Sequence, residues 1–339
     1  MTGAVLSRAG FNRKAAYATL AMTLSAEAPD LDVLWSFKGP VAGFEHHRGW
    51  THSFLGIPFE ALIVLAVIWF IHRWRLKRRP TLTTPAPLSW LRLYLFSVIG
   101  FLSHILLDWT NNYGVRPFAP FNPRWYAGSI VFIFEPLIFL ALLSALVAPA
   151  LFGLVSSEVG ARRPPFRGRA WAVAALTFIV ALWGLRLYER DRAIELARSA
   201  EDHPEQIERA TANPYPLNPF RWQTVTDLPL FYRVSTVNTR TEAVASSTQN
   251  DIFYKPPSTL AVLEAKRSWL GHVYLDWSQW PLVNEAGTDR SGLTAVTFRD
   301  LRFLYDSGVL SGRTPLMGVA YINPDRHVDH LEMDGRDQN

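Results

Sequence analysis

The chain contains no cysteine, which excludes disulfides and every thiolate-held metal or redox centre. Charge is scarce as well. Asp, Glu, Lys and Arg make up 19% of the 339 residues, below the roughly 25% of ordinary globular domains. The scarcity is local: four stretches with almost no charge approach or exceed the roughly 20 apolar residues that cross a bilayer. They run from Ser53 to Ile71, Leu88 to Leu107, Ile130 to Phe152 and Trp171 to Tyr188. A fifth, Ala15 to Ala28, is shorter and rich in Ala and Thr. No cleavable signal peptide is visible, because Arg8, Arg13 and Lys14 precede a poor apolar region without a clear cleavage site. No H-E-x-x-H string occurs, so a zincin-type membrane protease is not supported.

These runs predict an α-helical polytopic membrane domain, with four strong spans and one weak N-terminal helix, followed by a small β-rich soluble domain. The expected divisions are a membrane-embedded domain over 1–188, a charged helical linker over 189–213 and the β-rich domain over 214–339. In that last part, Phe231 to Val237, Thr294 to Phe303 and Gly318 to Ile322 read as strands between turn-forming residues. Trp222, Trp269, Trp277 and Trp280 supply core or membrane-facing surface there, most of them core. The net charge of +5 does not point to nucleic acid, because the basic residues gather in short loops. Arg73, Arg75, Lys77, Arg78 and Arg79 form one, and Arg162, Arg163, Arg167 and Arg169 another. Such loops mark the cytoplasmic side. With both placed inside, the weak first helix runs outward to Pro29 and the C-terminal domain lies outside, in the periplasm of a bacterial inner membrane.

Under that assignment Asp30, Asp32, His47, His52, His104 and Asp108 all reach the outer interface. Charged and imidazole groups are costly beside hydrocarbon and need a partner; a shared divalent metal, zinc by ligand type, suits these donors. His104 and Asp108 stand four apart and share a helix face. Pro29 is expected to end the first helix, leaving Asp30 and Asp32 on an extended segment with side chains on one side. Gly49 permits a tight turn between His47 and His52. Arg48 serves either as a clamp for an anionic group or as a headgroup anchor. Glu60 and Glu135 sit inside apolar runs, and each reads as a packing group or as a supporting or basic group of the site. His46 and His72 read as packing residues, and Asp325, His327, Asp329 and His330 as a solvated tail.

With Pro29-Asp30-Leu31-Asp32, His47-Arg48-Gly49-Trp50-Thr51-His52-Ser53 and His104-Ile105-Leu106-Leu107-Asp108 in this order, the chain resembles the YdjM-like family of LexA-regulated, inner-membrane metal-dependent hydrolases. The resemblance covers about residues 2 to 150. It places motif positions on Asp30, Asp32, His47, Arg48, Thr51, His52, His104 and Asp108, with Gly114 and Pro117 in the following loop. Members usually begin with a segment containing Thr-His, whereas this sequence starts Met1-Thr2-Gly3 and has no such His; either the start is assigned too late or the residue is absent, and if that His is a ligand the site as given is incomplete. The family is distantly similar to zinc-dependent phospholipase C and P1-type nucleases, which implies phosphoester chemistry by analogy of fold.

The sequence thus leads to a membrane-bound, metal-dependent hydrolase acting on a phosphoester or lipid-linked substrate at the outer face of the membrane. Its expected catalytic residues are Asp30, Asp108, Arg48 and Glu135, and its expected metal ligands Asp30, Asp32, His47, His52, His104 and Asp108. Its partners are the lipid bilayer and such a substrate. The competing readings are a membrane scaffold with a structural metal and, from another class, a transporter.

Overall fold

The computed structural model describes residues 1–81, 83–158, 166–245, 251–305 and 315–338, without the side chains of 154–158. It divides into two compact units: Met1–Leu31 with Arg48–Arg186, and Asp32–His47 with Leu187–Asn339. The basic residues Arg162 and Arg163 lie outside the described residues.

The first unit is helical. It contains α1 (Thr2–Ala9), α2 (Ala18–Glu27), α4 (Ile57–Arg78), α5 (Trp90–Thr110), α6 (Pro136–Glu158) and α7 (Arg169–Ser199) up to Arg186, while α3 (Pro40–His46) falls in the second unit. Helices α4 to α7 are long and apolar enough to cross a membrane. Their outward faces carry Leu62, Ile63, Phe70 and Val180, all more than half exposed. Water would not tolerate so much contiguous apolar surface on a monomer, and lipid tails satisfy it. Inside, Met22, Ala61, Ile68, Leu93 and Phe101 join α2, α4 and α5. Val5, Ile138, Leu142, Ala172 and Ile179 join α1, α6 and α7.

The weak N-terminal helix is α2, ten residues long and so about 15 Å, half a bilayer's hydrocarbon thickness. By length alone it does not span, which corrects its place as a full outward crossing. It does run parallel to α5, as the charge pattern predicts. Arg92 near the start of α5 donates to the Lys14 carbonyl, and His104 near its end bonds to the Ala26 carbonyl. Small residues bring these helices together. A Cβ on Gly3 would stand 2.0 Å from the Met22 carbonyl oxygen, and one on Gly100 2.7 Å from Ser25 Cβ.

Two boundaries differ from expectation. The third span begins at Pro136 rather than Ile130. Residues before proline avoid helical backbone, and proline itself favours the first helical position. Val131 instead bridges to Asn111 as extended chain. Pro29–Lys38 is a 3-10 helix, not an extended segment. At three residues per turn, positions two apart point about 120° from each other, so Asp30 and Asp32 diverge. The division between the units falls between them.

The second unit holds two antiparallel sheets, as expected of a β-rich region. The first contains β1 (Arg209–Pro214), β2 (Arg221–Asp227), β3 (Phe231–Asn238) and β4 (Ala243–Ala245) in that order, with β5 (Ile252–Tyr254) also paired to β3. Helices α8 (Leu260–Arg267) and α9 (Trp269–Trp277) lead to a meander of β6 (Pro281–Thr288), β7 (Thr294–Asp300), β8 (Gly318–Ile322), β9 (Val328–Met333) and β10 (Arg336–Asp337). Trp222, Trp277 and Trp280 are core residues, while Trp269 stays 40% exposed and donates to Glu45. The segment 32–47 is built into this unit. Phe44 packs on Tyr274 and Trp277, and Gln338 accepts from the amides of Val41 and Ala42 at the start of α3.

Candidate metal centre

The site lies where α4 begins and α5 ends. Trp50–His52 forms one 3-10 turn ahead of α4 and delivers a fully buried His52. His104 and Asp108 come from the last two turns of α5, one above the other. Asp30 arrives from the turn after α2. The basic residues Arg73 to Arg79 stand at the opposite end of α4, whose 22 residues measure about 33 Å.

Four acceptor-type atoms converge here. His52 Nε2 lies 3.1 Å from His104 Nε2. Asp30 Oδ1 is 3.7 and 3.5 Å from those two nitrogens, and Asp108 Oδ2 is 3.2 and 3.4 Å from them. His104 Nδ1 faces the Ala26 carbonyl at 2.9 Å. A carbonyl only accepts, so Nδ1 carries a proton, and Nε2 is the ring atom left to face a cation. Burial alone would push the Asp30 carboxyl up, but its hydrogen bonds with His104 and His52 outweigh that and hold it well below the usual carboxylate range. Asp108 Oδ2 is buried and has no well-aligned hydrogen bond.

A divalent cation fits this donor set. Bonds of about 2.0–2.1 Å to nitrogen and oxygen imply ligand-to-ligand separations of about 3.3–3.4 Å in a tetrahedral site. The compact group Asp30, His52 and His104 has edges of 3.1, 3.5 and 3.7 Å. Two imidazoles with one or two carboxylates, and no sulfur, suit zinc or a similar ion. The Nδ1–H of His104 bonded to a backbone carbonyl is the kind of outer partner that orients a ligating histidine.

Arg48 faces inward. It is 6% exposed, with Nη2 3.0 Å from Asp108 Oδ1 and Nη1 donating to Asn111 Oδ1 at 3.2 Å and to the Gly114 carbonyl at 2.7 Å. Its guanidinium also lies over the Tyr113 ring. Neither role expected of Arg48, substrate clamp or headgroup anchor, matches a side chain so enclosed. The tight turn also differs in detail: Arg48 itself takes the left-handed backbone, with φ 53°, while Gly49 has φ −82°. Its buried bonds over-determine that strained conformation. Gly114, at φ 92°, is left-handed where a side chain would be strained, and its carbonyl is one of the Arg48 acceptors.

The remaining expected residues are placed elsewhere. Asp32 and His47 belong to the second unit, where Asp32 Oδ1 and His47 Nδ1 lie 3.0 Å apart. Glu135 stands just before α6 and pairs with Arg186 at 2.8 Å, both side chains nearly inaccessible. Glu60, in the first turn of α4, keeps Oε2 buried without a hydrogen bond. His72 bonds to the Tyr17 hydroxyl and His46 stacks on Trp35, both as packing residues. In the C-terminal tail, His330, Glu332 and Asp337 form a second, largely open group of possible donors. Asn111 was expected only as part of a loop forming a lid or substrate wall, not as a group of the centre. Its one signal was its place three residues after Asp108, at the head of Asn111-Asn112-Tyr113-Gly114.

A family model described as YdjM inner membrane protein matches residues 1–193, more than half of the chain. The chain belongs to that family. It is therefore an integral membrane protein whose family-matched part carries every residue of the group above. Over 132 residues it is 27% identical to the uncharacterized protein YfhP of Bacillus subtilis (strain 168), covering 39% of this chain and 36% of that relative. The chain thus aligns with little more than a third of the length of this curated relative. No solved structure matches the chain.

Proposed function

We propose that the protein is a membrane-bound, metal-dependent hydrolase whose centre is Asp30, His52, His104 and Asp108, acting on an anionic phosphoester presented at the outer face of the inner membrane. The observation that carries this reading is the convergence of Asp30, His52 and His104 within 3.1–3.7 Å of one another, with Asp108 Oδ2 3.2 and 3.4 Å from the two imidazole nitrogens. Family membership and the position of the group at one end of the spans support it.

When bound, a zinc-like ion lowers the pKa of a coordinated water and polarises the ester. The chain's own residues supply the rest. His52 and His104 present their Nε2 atoms, the latter fixed by Ala26. Asp30 or Asp108 would take the proton from an attacking water. The two carboxylates and Arg48 together carry a formal charge of −1, so a dication makes the loaded centre +1 and favours an anionic substrate. Exposed Trp50, Phe54 and Phe118, on the turn before α4 and on the loop packed against it, suit the acyl portion of a lipid-linked ester. The gathering of polar groups at one end of α4 and α5 favours this reading over transport, which would distribute them along the spans.

The reading is tested with purified protein in lipid nanodiscs and bis(p-nitrophenyl) phosphate as a chromogenic phosphodiester. Turnover is expected that disappears with chelator and returns with added zinc. An ion held stoichiometrically without any turnover, on this probe or on a panel of phospholipids, would leave the structural-metal scaffold as the better description.

A further inference from the structure

We infer that Arg48 and Asn111 form a bracket that sets the orientation of Asp108, making both positioning residues of the centre rather than groups that meet substrate. The inference rests on the metal reading above. A carboxylate on the last turn of a helix can rotate, and only one of its rotations sends an oxygen towards the facing imidazoles. Arg48 fixes that choice by binding Asp108 Oδ1 at 3.0 Å, which leaves Oδ2 directed at His52 and His104. The guanidinium is in turn fixed at its other nitrogen, Nη1, by Asn111 Oδ1 and the Gly114 carbonyl. Asn111 Oδ1 also accepts from the amides of Tyr113 and Gly114, so its carboxamide is held by the loop it caps. One oxygen therefore joins the end of α5, the left-handed Arg48 and the following loop. The arrangement places a planar, two-pronged donor where a lysine would offer only a point charge.

Outer partners of this kind typically change metal affinity by about 10–100-fold. The test is cobalt(II) binding to chelator-stripped full-length protein in nanodiscs, read by the visible d–d spectrum and by titration. Arg48→Met is expected to weaken cobalt binding by about 10–100-fold and to change the band shape. Asn111→Ala should weaken it by about tenfold, at the lower end of that range. Asn111→Asp, which keeps the acceptor oxygen, should restore the wild-type spectrum, and Arg48→Lys should not. Thermal unfolding identifies any variant that fails to fold. If Arg48→Met misfolds, the Asn111→Ala and Asn111→Asp pair still decides. Wild-type affinity and spectrum in Arg48→Met and Asn111→Ala would overturn the inference, as would loss in Asn111→Ala without rescue by Asn111→Asp. Failure of the wild-type protein itself to take up cobalt would instead overturn the metal reading beneath it.

Discussion

Replacing His104 by alanine is expected to abolish stoichiometric metal binding, with a loss in affinity well beyond the 10–100-fold typical of outer partners. The variant removes one of two imidazoles that face each other at 3.1 Å. It also frees the Ala26 carbonyl that α2 contributes. His52→Ala should behave alike, since its Nε2 is the atom to which Asp30, His104 and Asp108 all come within 3.7 Å. Elemental analysis of protein purified without added metal gives the readout, with His72→Ala as control because His72 packs against Tyr17 and Trp90. Equal metal content in wild type, His52→Ala and His104→Ala would show that the convergence is a hydrogen-bonded cluster and nothing more.

The second large effect concerns Glu135 and Arg186. Their side chains are 2% and 0% exposed and meet at 2.8 Å, so removing either breaks a buried ion pair. Breaking such a pair costs about 3–5 kcal/mol, whereas replacing both members with apolar residues is often close to neutral. Glu135→Ala and Arg186→Ala should each lower unfolding stability in micelles by that amount, and the Glu135→Leu/Arg186→Leu double variant should recover most of it. A catalytic Glu135 would give the opposite pattern, with stability unchanged and turnover lost in Glu135→Ala alone.

The sequence disclosed what depends on neighbours along the chain. Four spans were legible because lipid demands uninterrupted apolar runs, and His104 with Asp108 because four residues make one helical turn. The strands at 231–237 and 318–322 announced themselves through β-prone runs between turn residues. What depends on long-range partners stayed hidden. Nothing around Glu135 names Arg186, 51 positions away, as its counter-ion. Arg48 looked free to bind substrate because the loop that encloses it lies more than sixty residues on. The expectation for Asp30 and Asp32 failed for a local reason: residues two apart share a face in a strand and diverge in a 3-10 turn. Here that difference separates Asp30 and Asp32 into different units.

The most direct measurement of the central claim is zinc K-edge X-ray absorption on the purified full-length protein. One bound ion in the helical unit is expected, with two imidazole ligands, oxygen donors at about 2.0–2.1 Å and no sulfur; that signal should be lost in His104→Ala. A spectrum without imidazole scattering, or one unchanged by His104→Ala, would contradict it.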